Sequence, residues 1–315
     1  MPPADRTVDW REALTALAAV DSGLLAGFGD GATPADAARA AGLDARAAGI
    51  VATALVDIGV LEPAGEGGRL RPTPNGGALL APAEDGTDPA GRLFLEERAI
   101  RSHLALADTL RTGRPPDDVS LGDRTTRERF MRAMRDVTAP RIPEVLAAVG
   151  PPPPGGRLLD VGGAPGVHAR AFAADGWDVT VLDLPETLAV GAAELRAAGV
   201  TPVPGDATEG LPDGPWDAVH LGNVAHLLDR DAAAALVARA AAALRPGGLL
   251  LIGEVLGDRS PQGPGFGVMM LVSTPGGDAW TEPDYRAWMA VAGAPLERVV
   301  PVEDGWHHLL IGRRA

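Results

Sequence analysis

Apolar residues fall in two rhythms along this chain. From Arg157 onward, short continuous apolar runs alternate with helix-length stretches: Arg157–Val161, Trp177–Leu182, Trp216–Leu221 and Leu249–Val255 read as buried strands. Strands covered on both faces lose the polar–apolar alternation of a half-exposed strand, and strands alternating with helices predict a parallel, doubly wound α/β sheet. Thr201-Pro202-Val203-Pro204-Gly205-Asp206 supplies a shorter third strand, and the helix Asp231–Leu244 ends on the stop signal Arg245-Pro246-Gly247-Gly248.

The first eighty residues follow a helical rhythm. Thr33-Pro34-Ala35-Asp36 starts a helix, Ala41-Gly42-Leu43 turns it, Asp44–Gly59 reads as a second helix and Val60–Thr73 as a hairpin. That order is a winged helix-turn-helix. Two helical segments follow, Pro89–Thr112 and Arg124–Val149, and the run Pro151-Pro152-Pro153-Pro154-Gly155-Gly156 reads as a stiff spacer at a domain boundary. The chain therefore divides into residues 1–85, a helical connector 86–150, and an α/β domain 151–315.

Charge decides what the winged helix does. Between Thr7 and Pro82 stand five arginines and nine acids, and the presumed recognition helix carries only Arg46. Duplex binding needs several cations facing phosphates, so no nucleic-acid partner is expected. A length of 315 residues with 46% hydrophobic content suggests about two domains. No apolar run approaches a membrane span and the N-terminus lacks a signal-peptide pattern, so a cytoplasmic protein without a membrane partner is expected. The absence of cysteine excludes disulfides, thiolate metal sites and cysteine nucleophiles.

The most informative segment is Asp160-Val161-Gly162-Gly163-Ala164-Pro165-Gly166, a strand running into a glycine turn that opens a helix. Such a turn lets backbone approach a nucleotide-like ligand and offers it the free N–H groups of a helix start. Asp183 closes the next strand about twenty residues later, where a nucleotide-binding unit places a carboxylate for ribose hydroxyls. That spacing fits NAD or S-adenosylmethionine. Asp206, ending the third strand, is placed to accept from an adenine amino group.

These segments resemble the class I S-adenosylmethionine-dependent methyltransferases, specifically the small-molecule O-methyltransferases of plants and actinomycetes. The likeness covers nearly the whole chain. It implies a seven-stranded sheet with the last strand antiparallel, preceded by a winged-helix dimerisation domain. It also implies a cofactor site of Asp160, Gly162, Gly163, Gly166, Asp183, Leu184, Gly205, Asp206, Ala207 and Asn223. Asn223-Val224-Ala225-His226 is similar to the segment carrying the family's catalytic histidine, with Glu254 as its partner. Phe130, Met134, Met270 and Thr274 would line the acceptor pocket. The apolar stretch Ala13–Leu25 suits a homodimer interface. Three departures stand out: Ala164 replaces the middle glycine, Leu227 and Leu228 replace an acid and a tryptophan, and a glutamate expected near Gly277 falls on Ala279.

The chemistry implied is methyl transfer from a sulfonium to a hydroxyl of a small, aromatic secondary-metabolite intermediate. A phenol near pKa ~10 is mostly protonated at neutral pH, so an imidazole base held against it, with a carboxylate on its other nitrogen, would supply the nucleophile. With Ala279 in place of the second glutamate, Asp278 is the nearest substitute. No His-x-x-x-His spacing argues for a metal, and none is expected, although His226 with His307 or His308 leaves that reading open. Other classes make distinct demands. A winged-helix regulator would need a basic recognition helix, a nicotinamide oxidoreductase leaves Asp206 unexplained, and C-methylating, hydroxylating or pericyclic relatives would keep the cofactor but change the outcome.

Overall fold

A computed structural model of the chain describes residues 10–81, 88–116 and 122–315. The expected boundary between residues 85 and 86 lies outside them. Two compact units result: residues up to Ile100 with Arg132–Val137, and Arg101–Met131 with Thr138–Ala315. The expected connector is thus divided between them.

In the first unit, local capping sets the helices. The hydroxyl of Thr33 accepts from Asp36 N at 3.2 Å to start Pro34–Ala41, and Gly42, in the left-handed region at φ 70°, ends it. Asp44 accepts from Ala47 N at 2.8 Å to start Ala45–Asp57. Strands β1 (Leu61–Pro63) and β2 (Leu70–Pro72) then pair antiparallel as the wing. Ala16, Ala19, Leu24, Leu25, Phe28, Ala37, Ala52 and Leu55 form the core of this unit. The apolarity of Ala13–Leu25 is therefore satisfied inside the chain, and by itself carries no argument for an interface.

The second unit is built on a seven-stranded sheet of β3 (Arg157–Val161), β4 (Asp178–Asp183), β5 (Thr201–Pro204), β6 (Trp216–Gly222), β7 (Leu244–Glu254), β8 (Leu296–Val302) and β9 (His307–Arg313). Their order is β5-β4-β3-β6-β7-β9-β8, parallel from β5 to β7, with β9 antiparallel to both neighbours. Leu158, Val179, Val181, Ala218 and Leu251 face one helical layer, while Leu159, Val161, Val219, Leu221 and Ile252 face the other. This double burial explains the uninterrupted apolar runs. The strand order reverses between β3 and β6, the place where open α/β sheets bind ligands at strand carboxyl ends.

Two expectations are corrected. Strand β7 begins at Leu244, not after the Pro-Gly-Gly turn: Trp216 pairs with Leu244, the register shifts, and Ala218 pairs with Leu249. Arg245–Gly248 therefore form an irregular strand start, which Arg314 holds by backbone bonds to Gly247 and Gly248. The segment Arg124–Val149 is interrupted at Ala139–Arg141, where Pro140 and Pro143 each remove a backbone donor.

Candidate active site

At the end of β3 the chain turns through Gly162 and Gly166, both left-handed at φ 65° and 86°, into the helix Val167–Ala174. A Cβ on Gly163 would stand 2.4 Å from Asp160 Oδ2, so Asp160 lies directly beneath the turn. Asp160 is 1% exposed, and His220 Nδ1 donates to its Oδ1 at 2.7 Å. The two residues are register partners on β3 and β6. Asp183, closing β4, accepts from Ala164 N at 3.0 Å and from Leu184 N at 2.7 Å. Burial nevertheless raises its carboxyl to about 6. Gly205 N bonds to Asp183 O, Ala207 packs on the sheet core, and Leu184 stays exposed beside the acid. Asp206 Oδ1 accepts from both the N–H and the hydroxyl of Thr208, which holds this carboxyl below its ordinary range. The set fits S-adenosylmethionine: a half-buried carboxyl with acceptor capacity beyond its two backbone donors for ribose hydroxyls, a second acid for an amino group, and an apolar side chain for a ring.

Across the switch point, β6 runs into a short 3₁₀ turn, Ala225–Leu227. His226 is buried there, and its Nδ1 donates to Glu254 Oε2 at 2.5 Å. Since a carboxylate only accepts, this bond puts the proton on Nδ1 and leaves Nε2 as an acceptor. Glu254, fully buried at the end of β7, also accepts from the backbone N–H of Ala225 (3.0 Å) and His226 (3.4 Å). The carbonyls of the same turn are held from the opposite side. Trp280 Nε1 donates to Ala225 O at 3.1 Å and Asp278 N to His226 O at 3.1 Å. Gly277 makes that approach feasible, because a Cβ there would stand 2.1 Å from His226 O. Asp278 does not replace the expected glutamate: its side chain is exposed and its Oδ1 accepts from Ala279 N. Phe266 packs edge-on against the His226 ring, with centroids 5.0 Å apart.

The remaining expected residues differ in standing. Met270 is buried on the helix Gly263–Ser273, close in sequence to Phe266. Thr274 closes that helix, donating to Met270 O and accepting from Gly277 N, each at 2.8 Å. Its hydroxyl is spent on the turn. Phe130 and Met134 share the helix Arg124–Thr138 and are half-buried. Asn223 links β6 to the histidine turn at φ 59°, its side chain bonded to His307. Sequence reasoning missed His220, Phe266 and Trp280. His220 had a signal, being a polar residue in an apolar strand matching Asp160 in its neighbour. Among the described residues, no group of three His, Cys, Asp or Glu is placed to hold a metal ion.

Comparison with known proteins agrees with this geometry. A family profile described as an O-methyltransferase domain matches residues 111–295. The 3-hydroxy-5-methyl-1-naphthoate 3-O-methyltransferase of Streptomyces sahachiroi is 28% identical over 91% of this chain and 87% of its own length. The 3-amino-4-hydroxybenzoate 4-O-methyltransferase of Streptomyces cremeus is 37% identical, over 33% of this chain and only 30% of that protein. Among solved structures, an O-methyltransferase of neocarzinostatin biosynthesis, described with S-adenosylmethionine and 2-hydroxy-5-methyl naphthoic acid, shares the fold at a TM-score of 0.78 and 22% identity. That match covers 98% of this chain and 97% of that one. The chain belongs to the S-adenosylmethionine-dependent O-methyltransferase family.

Proposed function

We propose that the protein methylates a hydroxyl of a small aromatic natural-product intermediate, with His226 as general base. The observation that carries this is the 2.5 Å bond from His226 Nδ1 to a fully buried Glu254, at a strand end beside the glycine turn. Bound S-adenosylmethionine supplies an electrophilic methyl group on a sulfonium. Asp183 and Asp206 would hold its ribose and adenine sides, with Gly162, Gly163 and Gly166 giving its backbone clearance. His226 Nε2 takes the proton of the acceptor hydroxyl, and Glu254 stabilises the imidazolium that forms. The rest of the site orients the oxygen in line with the methyl group. Phe266, edge-on to His226, supports an aromatic acceptor, as do relatives named for hydroxybenzoate and hydroxynaphthoate substrates.

Residues 1–85 serve dimerisation in this reading, residues 86–150 contribute to the acceptor pocket and 151–315 hold the cofactor. No duplex-binding role is assigned to the acidic winged helix. No described helix is long and apolar enough to cross a membrane, and a cytoplasmic homodimer is the working assembly. Incubation with methyl-labelled S-adenosylmethionine and a panel of hydroxybenzoates and hydroxynaphthoates tests the assignment. Label should appear on a phenolic oxygen with S-adenosylhomocysteine in equal amount; turnover without S-adenosylhomocysteine would refute it.

A further inference from the structure

His307, the first residue of β9, has no part in the chemistry above. It is 1% exposed, and burial, reinforced by Arg141 and by His168, His226 and His220, holds its imidazole well below the ordinary value. It is therefore neutral and carries one N–H. Nε2 stands 3.0 Å from Asn223 Oδ1, an oxygen that only accepts, so Nε2 is the donor and Nδ1 is left bare. That Nδ1 is buried with no hydrogen-bond partner among the described residues. An apolar side chain would avoid the penalty, and the next two positions on the same face of β9, Leu309 and Ile311, are apolar.

The backbone makes room for this ring. A Cβ on Gly253 would stand 3.1 Å from His307 Cε1 and 3.6 Å from His220 Nε2. Gly222, the register partner of Gly253 on β6, clears the His220 ring in the same way. What His307 contacts gives the ring a use. Asn223 occupies the left-handed region at φ 59°, unusual for a residue with a side chain, and its N–H donates to Gly253 O at 2.9 Å. It is the pivot at which β6 becomes the turn carrying His226, three residues on.

We propose that His307 is a positioning residue for methyl transfer: its Nε2–H fixes the Asn223 amide, and with it the left-handed pivot that aims His226. The inference rests on His226 being the base. Holding that base to one direction matters because small misplacements of a reacting group lower turnover steeply.

The test uses the full-length protein with its best acceptor from the phenol panel. His307→Leu should lower kcat about tenfold while the acceptor KM and the Kd for S-adenosylhomocysteine stay within about twofold. His307→Gln, whose amide nitrogen reaches the same place, should recover most of kcat. Asn223→Gly, free to adopt the same φ without a side chain, should reproduce the kcat loss, and adding His307→Leu to it should change little further. Should His307→Leu not fold, the Gln and Gly variants carry the test: wild-type kcat in Asn223→Gly overturns the proposal. So does a His307→Leu effect that multiplies in full onto Asn223→Gly. If His226→Ala itself keeps wild-type kcat, the base assignment falls and this inference with it; if only the His307 variants are silent, the base assignment stands alone.

Discussion

The glycine cradle and the histidine turn end neighbouring strands, β3 and β6, yet are held together differently. The cradle draws mostly on nearby chain: Asp183 reaches Ala164 N across 19 positions, and the glycines supply the turn themselves. His220, 60 positions from Asp160, reaches it from afar. The histidine turn keeps its own 3₁₀ backbone bonds, from Leu227 N to Val224 O and from Leu228 N to Ala225 O, but its side-chain partners are distant. Its partners Glu254, Trp280 and His307 lie 28, 55 and 84 positions from the atoms they bind. On the proposed function, binding is encoded as a motif and reactivity as an assembly, so damage to the two should separate into Kd and kcat.

The largest separation is expected at His226. His226→Ala should lower kcat by roughly 10²–10⁴-fold and leave the Kd for S-adenosylhomocysteine nearly intact, with more acidic phenols losing less. Glu254→Gln should act in the same direction more weakly. Calorimetry beside steady-state kinetics checks this, and equal losses across phenols of widely different pKa would exclude a base. Gly277→Ala comes next, since its Cβ would collide with His226 O. Displacing the turn should lower kcat by more than about tenfold without weakening S-adenosylhomocysteine. A parallel loss of both would show that the two regions are not separable.

On the cradle side, Asp183→Ala should weaken S-adenosylhomocysteine about tenfold or more, the worth of a charge-assisted bond at roughly 1.5–3 kcal/mol. Its pH dependence follows from the carboxyl raised to about 6. The ionised form would accept from ribose hydroxyls, so affinity should be full above that value and fall as pH drops through it, by no more in total than the loss seen in Asp183→Ala. Asp183→Asn should flatten the profile. The smallest effect belongs to neither region. Thr281 caps the helix Glu282–Val291 through a capping box with Asp284, so Thr281→Ala should lose about 1 kcal/mol in chemical denaturation and change neither Kd nor kcat.

The same contrast explains what the sequence made legible. The strands from Arg157 to Glu254, the glycine turn and the acid closing the second strand follow from periodicity and spacing, while the reversed last strand and the pairing of His226 with Glu254 follow from the family resemblance. The start of β7 did not, because Arg245-Pro246-Gly247-Gly248 carries the chemistry of a turn while its backbone is tied by Arg314 from the far end of the chain. Apolarity alone does not say whether Ala13–Leu25 fills its own unit's core or an interface, and Ala16, Ala19, Leu24 and Leu25 belong to that core. Asp278 looked like a substitute acid, but only its backbone nitrogen reaches the histidine turn. His307 enters the sequence reading only as a candidate metal partner of His226, and nothing in its own segment points to Asn223.

The loop that closes on His226 does so through backbone atoms and a missing Cβ, not through a carboxylate. In evolutionary terms this divides the loop into fixed and free positions. Gly277 is locked by the clearance it provides, whereas the side chains at 278 and 279 have no duty toward the imidazole. Mutational drift there can follow changes of acceptor without disturbing the base, so descendants that differ in substrate are expected to vary at Asp278 and Ala279 and to keep the glycine.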